Sequence, residues 1–200
     1  WCCVPPSKGM LRTVRLGLAW WPSLIILTLS CVPPAAATTY LTRKEALQLF
    51  FPGATRVEAR TTLLSPEQRK AVQARLGKRV RKRVITFYRG WQGDNLLGYA
   101  TVLNEIGKHL PITFMVGIDP GGRVTEVVIL AYRESQGGEV RQRRFLRQYR
   151  GKALQDHIRR GKDIVNITGA TLSVQSVSYG VRKALVFWEV LYGTKAPLRR

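Results

Sequence analysis

The sequence predicts an α+β fold in a single domain, in which an antiparallel sheet is flanked by helices. Two observations predict it. From residue 83 onward, short runs of β-branched and aromatic residues are separated by tight turn signals, and strands joined in this way pair antiparallel. Segments with helix-capping signals stand both before and after these runs.

Four strands make up the predicted sheet. They span residues 84–88, 96–103, 111–118 and 124–132. Between the last two lies Asp119-Pro120-Gly121-Gly122, a strong hairpin signal, because Pro and Gly supply the backbone angles of a tight turn.

A small helix–strand–helix module is predicted over residues 38–82. Its two helices begin after the capping residues Thr42 and Ser65, and Gly77 ends the second. Between the helices, residues 55–63 alternate apolar and polar side chains, which is typical of a half-buried strand.

The main domain is predicted over residues 83–192. Two short helices are expected after the strands, over 140–149 and 153–160, and a tight turn then leads into a long final helix. Apolar residues at a spacing of three to four predict the buried face of that helix: Val174, Val177, Val181, Leu185 and Trp188. Residues 193–200 form a basic tail.

The N-terminal region predicts export. Residues 1–9 precede the first methionine and are expected to lie upstream of the true start. Residues 10–37 combine two arginines, an apolar run and a small-residue cleavage site, the pattern of a secretory signal peptide. A lipoprotein signal ending at Cys31 is the alternative. We expect the protein in the periplasm or on the outer face of the cytoplasmic membrane.

The cysteine and histidine content restricts the chemistry. All three cysteines precede residue 38, so the exported part has no disulfide, thiolate metal ligand or cysteine-bound iron–sulfur cluster. Its two histidines, His109 and His157, are too few for a typical metal site and have no nucleophile beside them. We therefore expect no metal and no catalytic residue, and the chemistry must come from hydroxyls, carboxylates or a borrowed cofactor.

The exported part is strongly basic. Without Lys8, Arg12 and Arg15 it holds 30 basic and 12 acidic residues, a net charge of +18. The charge is concentrated in two clusters, at 78–83 and 141–162, and favours anionic partners such as an acidic cytochrome or an anionic membrane surface. Export argues against nucleic acid, and Phe145 and Tyr149 within the second cluster are interpreted as core residues.

The turn Thr168-Gly169-Ala170-Thr171 is the strongest candidate site. A glycine-containing turn that leads directly into a helix brings backbone N–H groups and the positive end of the helix dipole beside a hydroxyl, an arrangement that suits a phosphate. The alternative is that Thr171 or Ser173 serves only as the helix N-cap.

The region around this turn resembles the FMN-binding domain family, which includes flavin-carrying subunits of the Rnf and sodium-pumping quinone reductase complexes. The similarity covers about residues 96–191. It rests on the signature at 167–173, the hairpin at 117–124, Glu134 with Gly137, and Phe-Leu-Arg-Gln-Tyr-Arg-Gly-Lys at 145–152, which follows the family pattern F-x-x-Q-[FY]-x-G-K.

The resemblance implies an FMN whose phosphate is esterified to Thr171 by an exported flavin transferase that uses FAD as donor. Thr168, Gly169, Ala170, Glu134 and Ser173 complete the predicted cofactor site. The sequence departs from the family in one important place, because Val165 stands where modified members carry aspartate, with Asp163 and Asn166 nearby. Glu134 is also followed by Ser-Gln-Gly-Gly and not by the more usual Thr-Pro-Gly.

The predicted function is an electron carrier outside the cytoplasmic membrane. Its expected partners are the flavin transferase and a membrane redox partner, either iron–sulfur, quinone-linked or a cytochrome. A cofactor-free basic module that binds anionic lipid or polymer is the alternative from another class. A flavin reductase with its own substrate stays open, although the sequence offers no recognisable nicotinamide-binding motif.

Overall fold

Six strands form a single antiparallel sheet in the computed structural model. The predicted antiparallel sheet is confirmed, and its four predicted strands are joined by the strand of the N-terminal module and by one short strand that was not predicted. In chain order the six strands are β1 (Thr38–Thr39), β2 (Arg56–Leu63), β3 (Val84–Gln92), β4 (Asn95–Ile106), β5 (Pro111–Ile118) and β6 (Val124–Tyr132). Their order across the sheet is β1-β6-β5-β4-β3-β2. Each strand from β2 to β6 lies beside its neighbour in sequence, so tight turns make most of the connections.

The structure describes residues 38–193. The upstream segment at 1–9, the signal peptide at 10–37 with Cys31, and residues 194–200 of the basic tail lie outside this range.

Four α-helices accompany the sheet in the described range. They are α1 (Arg43–Phe50), α2 (Pro66–Leu76), the single turn α3 (Arg143–Leu146) and α4 (Thr171–Tyr192). The predicted capping boxes of α1 and α2 are both present, at Thr42 and Ser65. Gly77 ends α2 with φ +65°, a left-handed conformation that glycine adopts at little cost.

The core lies between the sheet and α4. All five residues predicted for the buried face of α4 are buried: Val174, Val177, Val181, Leu185 and Trp188. The backbone of α4 passes close to the sheet at Gly180, where a Cβ would come within 2.3 Å of the Phe114 ring. A second apolar cluster joins α1 to the sheet through Ala46, Phe50 and Met115.

Strand β2 differs from its prediction, because no residue of it is buried. It is an edge strand that pairs only with β3. Helix α1 packs on β6 and α2 packs on α4, which leaves both faces of β2 open to solvent.

The connection between β6 and α4 also corrects the sequence analysis. The predicted helix at 140–149 exists as α3 between two 3₁₀ turns, Gly138–Arg141 and Arg147–Tyr149. The predicted helix at 153–160 is absent, and this stretch consists of turns and bends. Asp163 accepts the N–H groups of Ile158 and Arg159 at 3.0 Å and 2.9 Å, and Ile158 has a left-handed φ of +44°, so these two residues cannot continue a helix.

The antiparallel order determines which end of the molecule carries the signature turn. Ile106 at the end of β4, Pro111 at the start of β5 and Tyr132 at the end of β6 lie at the same end of the sheet. The Ser176 hydroxyl of α4 donates to the Ile106 carbonyl, so the first turns of α4 lie at this end as well.

Candidate functional site

The signature turn enters α4 without a side-chain cap. Ala170 is the N-cap residue, and among the described residues no side chain supplies a capping hydrogen bond. Thr171 is the first helical residue and Ser173 the third, so the interpretation of either as the N-cap is wrong. Gly169 holds the turn at φ +82°. The first N–H groups of α4 are therefore left free of side-chain acceptors and can receive an anion.

The hydroxyl of Thr171 lies at the surface of this turn. The residue is half-buried, and its Oγ1 accepts a hydrogen bond from Asn166 Nδ2 at 3.3 Å. Thr168 and Gly169 are exposed, whereas Ala170 is buried. Of the two signature threonines, Thr171 is the one placed next to the helix N-terminus.

Ser173 faces the protein. It is only 4% exposed, and its Oγ lies 2.9 Å from Tyr132 Oη. Tyr132 Oη also donates to the Gln136 carbonyl at 2.5 Å. A phenol has one hydrogen to give, so Ser173 must be the donor to Tyr132. Burial raises the pKa of Tyr132, which therefore keeps its proton at neutral pH. Ser173 thus fixes the loop after β6 against α4.

Gly137 brings that loop into direct contact with the signature turn. Its φ is +78°, and a Cβ there would lie 2.9 Å from Tyr132 Oη and 3.2 Å from both Ala170 Cα and Ser173 Oγ. Only a glycine fits both the backbone conformation and the space. The loop at 135–138 and the turn at 168–171 are therefore packed as one unit.

Glu134 closes the turn between β4 and β5. Its Oε1 accepts the backbone N–H groups of His109 at 2.6 Å and Leu110 at 2.8 Å. Partial burial would raise the pKa of this carboxyl, but the N–H donors of Leu110, His109 and Lys108 outweigh it and hold the pKa below its usual value. Glu134 is thereby ionised at neutral pH and occupied by backbone donors.

Two clefts meet at Gly169. The smaller, about 350 Å³, brings together Thr171, Ser173, Glu134 and Ala170. The larger, about 740 Å³, lies on the other side, between Gly169 and the loop at 135–142. Gly169 is exposed, and a Cβ placed on it would meet no described atom within 4 Å.

Arg141 lines the larger cleft. Its guanidinium lies 4.4 Å from the ring centre of Tyr40 and 5.8 Å from that of Tyr132, while its Nε donates to the Gly138 carbonyl. These contacts hold a positive charge at the rim of the cleft.

The residues near the missing family aspartate have other roles. Asp163 accepts the N–H groups of Ile158 and Arg159 and pairs with Lys152 at 3.1 Å. Burial opposes ionisation of Asp163, but these donors hold its pKa below its usual value. Because the Asp163 carboxylate is held by these donors, it does not replace the aspartate that is missing at position 165. Val165 itself is 71% exposed.

The two basic clusters of the sequence meet in a groove. Lys78 from the first cluster and Arg159 and Arg160 from the second line the same cleft of about 1040 Å³. Gln175, one helical turn after Thr171, lines it too. The basic groove therefore begins beside the signature turn.

Several residues of this site could not be identified from the sequence. Tyr132 ends a strand 41 residues before its partner Ser173, and Gln136 contributes only its backbone carbonyl. Asn166 contacts Thr171 in the structure. In the sequence, the only sign of this contact is a polar residue five positions before Thr171.

Within residues 38–193, no helix combines the length and apolar character needed to cross a bilayer. In the same range, no group of three histidine, aspartate or glutamate side chains is arranged to hold a metal ion.

Comparisons with known proteins identify a family and a fold that this chain is similar to. Residues 107–186 match the family model described as FMN-binding domain. Among solved structures, NqrC of Shewanella oneidensis superposes with a TM-score of 0.53 and 14% sequence identity, covering 77% of this chain and 89% of that one. A search of curated proteins returned no match. These findings confirm the resemblance inferred from the sequence, and the similarity to FMN-binding domains covers residues 107–186.

Proposed function

We propose that this protein is an exported electron carrier whose FMN is esterified through its phosphate to Thr171. The observation that carries the proposal is the position of the Thr171 hydroxyl. It lies within an FMN-binding domain, at the mouth of a cleft and at the first residue of a 22-residue helix that no described side chain caps.

The residues around Thr171 fit a bound FMN. A phosphodiester keeps one negative charge, and the free N–H groups at the start of α4 stabilise a negative charge in this place. The adjoining clefts on the two sides of Gly169 offer room for the rest of the cofactor. When bound, FMN supplies the one-electron and two-electron chemistry that the protein's own side chains lack.

The attachment step is a phosphoryl-group transfer with FAD as the donor. The Thr171 oxygen forms a bond to the FMN phosphorus, the diphosphate bond of FAD breaks, and AMP leaves while the hydroxyl proton is released. No oxidant or reductant is consumed. The protein gains the mass of FMN less one water.

A basic groove beside the site supports docking of an acidic partner. Positive charge lining a cleft raises the rate of encounter with a negatively charged surface. We propose that a membrane redox partner, either iron–sulfur, quinone-linked or a cytochrome, docks there and exchanges electrons with the flavin. The location we propose is the periplasm or the outer face of the cytoplasmic membrane.

The test is co-expression with an exported flavin transferase. The purified protein should give a fluorescent band under ultraviolet light after denaturing electrophoresis, and the mass increase stated above. Thr171→Ala should abolish both, because alanine has no oxygen to form the ester. Thr168→Ala, the matched control, should retain modification, because Thr168 lies outside the helix.

Unmodified mass in the wild-type protein, with an active transferase present, would exclude the covalent bond. Flavin that co-purifies and is released on denaturation would then identify a non-covalent FMN site.

The second candidate function is a basic module that binds anionic lipid or polymer without cofactor. The size and charge of the groove formed by both clusters favour it. Purified protein without flavin, together with anion binding that weakens steeply as salt rises, would support this function over electron transfer.

A further inference from the structure

A further pocket, of about 610 Å³, lies between α2 and the start of β3. Its walls come from one helix and one irregular segment, and it shares no lining residue with the clefts around Thr171. The lining residues are Arg69, Gln73, Arg79, Val80, Arg81 and Arg83.

The local sequence explains why four arginines converge. Arg69 and Gln73 are four residues apart and therefore lie on one face of α2. In the segment at 79–83, alternate residues are arginine, and Val80 between them is buried in the core. Burial of Val80 anchors the segment and holds the arginines beside α2.

The arginine charges of this pocket have no ion-pair partner in the described part of the chain. Among residues 38–193, no carboxylate forms an ion pair with Arg69, Arg79, Arg81 or Arg83. The Nε atom of Arg69 is buried and has no hydrogen-bond partner in this range. A buried donor left without an acceptor is costly, and nearby like charges repel. A bound anion would relieve both costs.

We propose that this pocket binds phosphate groups that together carry at least two negative charges. Guanidinium groups present paired N–H donors that match phosphate oxygens, so four of them suit a diphosphate or the headgroups of acidic phospholipid. All its lining residues precede residues 107–186, which match the FMN-binding domain model, and none of them lines the clefts around Thr171, so we expect it to bind its ligand without flavin.

Calorimetric titration of the full chain with inorganic pyrophosphate tests the soluble form of this ligand. At low salt, the wild-type protein should bind one equivalent saturably. The double variant Arg81→Gln/Arg83→Gln should bind at least tenfold more weakly. Arg143→Gln/Arg147→Gln removes the same charge from two exposed residues outside the pocket and should change the affinity less than twofold.

Arg69→Gln tests the buried donor separately. It should weaken binding at least tenfold, and its thermal unfolding should show that the protein is folded. The exposed pair Arg81 and Arg83 provides the test that does not depend on a buried side chain.

Co-sedimentation with vesicles distinguishes the lipid source. If the ligand is a lipid headgroup, the wild-type protein should co-sediment with vesicles of one-third phosphatidylglycerol in phosphatidylcholine. The double variant Arg81→Gln/Arg83→Gln should then stay in the supernatant. Binding of pyrophosphate by a protein that does not bind these vesicles identifies a soluble phosphate compound as the ligand. Equal losses in the double variant and its charge-matched control, or no saturable binding of either probe, would overturn the proposal.

Discussion

The Ser173 hydroxyl donates to Tyr132 Oη over 2.9 Å and so joins the first turn of α4 to the end of β6. The same phenol donates to the carbonyl of Gln136. One chain of two hydrogen bonds therefore connects the loop beside the candidate flavin site, the sheet and the helix that carries Thr171.

Because of these two hydrogen bonds, we expect substitution of Tyr132 and of Ser173 to lower the free energy of unfolding by unequal amounts. Tyr132→Phe leaves the buried Ser173 hydroxyl without its acceptor and should lower the free energy of unfolding by about 1–3 kcal/mol. Ser173→Ala leaves Tyr132 bonded to Gln136 and should cost about 1 kcal/mol. Urea denaturation of both variants measures the difference, and a larger loss from Ser173→Ala would contradict the assignment of donor and acceptor.

The glycines at the site should respond differently to alanine. Gly169→Ala meets no steric contact and should cost only the left-handed backbone strain, about 1–2 kcal/mol. Gly137→Ala adds contacts with Tyr132 Oη, Ala170 and Ser173 to the same strain, and should destabilise the protein more. Thermal unfolding gives the ranking. Asparagine at 169 should be milder than alanine, because its side chain tolerates this conformation.

Glu134 should contribute a pH-dependent part of the stability. Its pKa is lower in the folded protein than in the unfolded chain, where it is near 4.5. Its contribution is therefore complete above about pH 4.5 and is lost as the pH falls through the folded-state pKa. Unfolding free energies of wild type and Glu134→Gln, measured from pH 3 to 7, should converge at the acid end. A constant difference across that range would show that the charge has no role.

Two substitutions should separate the effects of position and charge beside Thr171. Val165→Asp restores the family residue at a position that is 71% exposed, so it should raise the flavinylated fraction without loss of stability. Asn166→Asp puts a carboxylate directly against the Thr171 hydroxyl. If the transferase recognises the family position, only Val165→Asp increases modification, as mass spectrometry would show. An increase in Asn166→Asp alone would instead indicate that proximity to the hydroxyl matters.

Charge in the basic groove should control electron transfer to acidic partners. Oxidation of the reduced flavoprotein by a soluble acidic cytochrome should slow as salt rises through physiological strength, where the Debye length is about 8 Å. Lys78→Gln and Arg160→Gln should slow it at low salt, whereas Lys44→Gln on α1 should not. Rates that stay constant across salt would remove docking as the role of the groove.

The sequence by itself determined the features that depend on neighbouring residues or on a repeating spacing. The caps at Thr42 and Ser65, the left-handed Gly77, the hairpin at 119–122 and the apolar face of α4 all follow from local backbone geometry. The signature at 168–171 also belongs to this class, because a glycine turn and a helix start are encoded within a few residues.

The tertiary structure alone decided what depends on distant partners. The exposure of β2 follows from which helices cover the sheet. The absence of the helix at 153–160 follows from Asp163, whose carboxylate accepts the N–H groups of Ile158 and Arg159. Neither can be deduced from periodicity. The contact of Tyr132 with Ser173 and the convergence of Arg69 with Arg79–Arg83 can likewise be known only from the fold. Separation along the sequence does not specify which side chains meet.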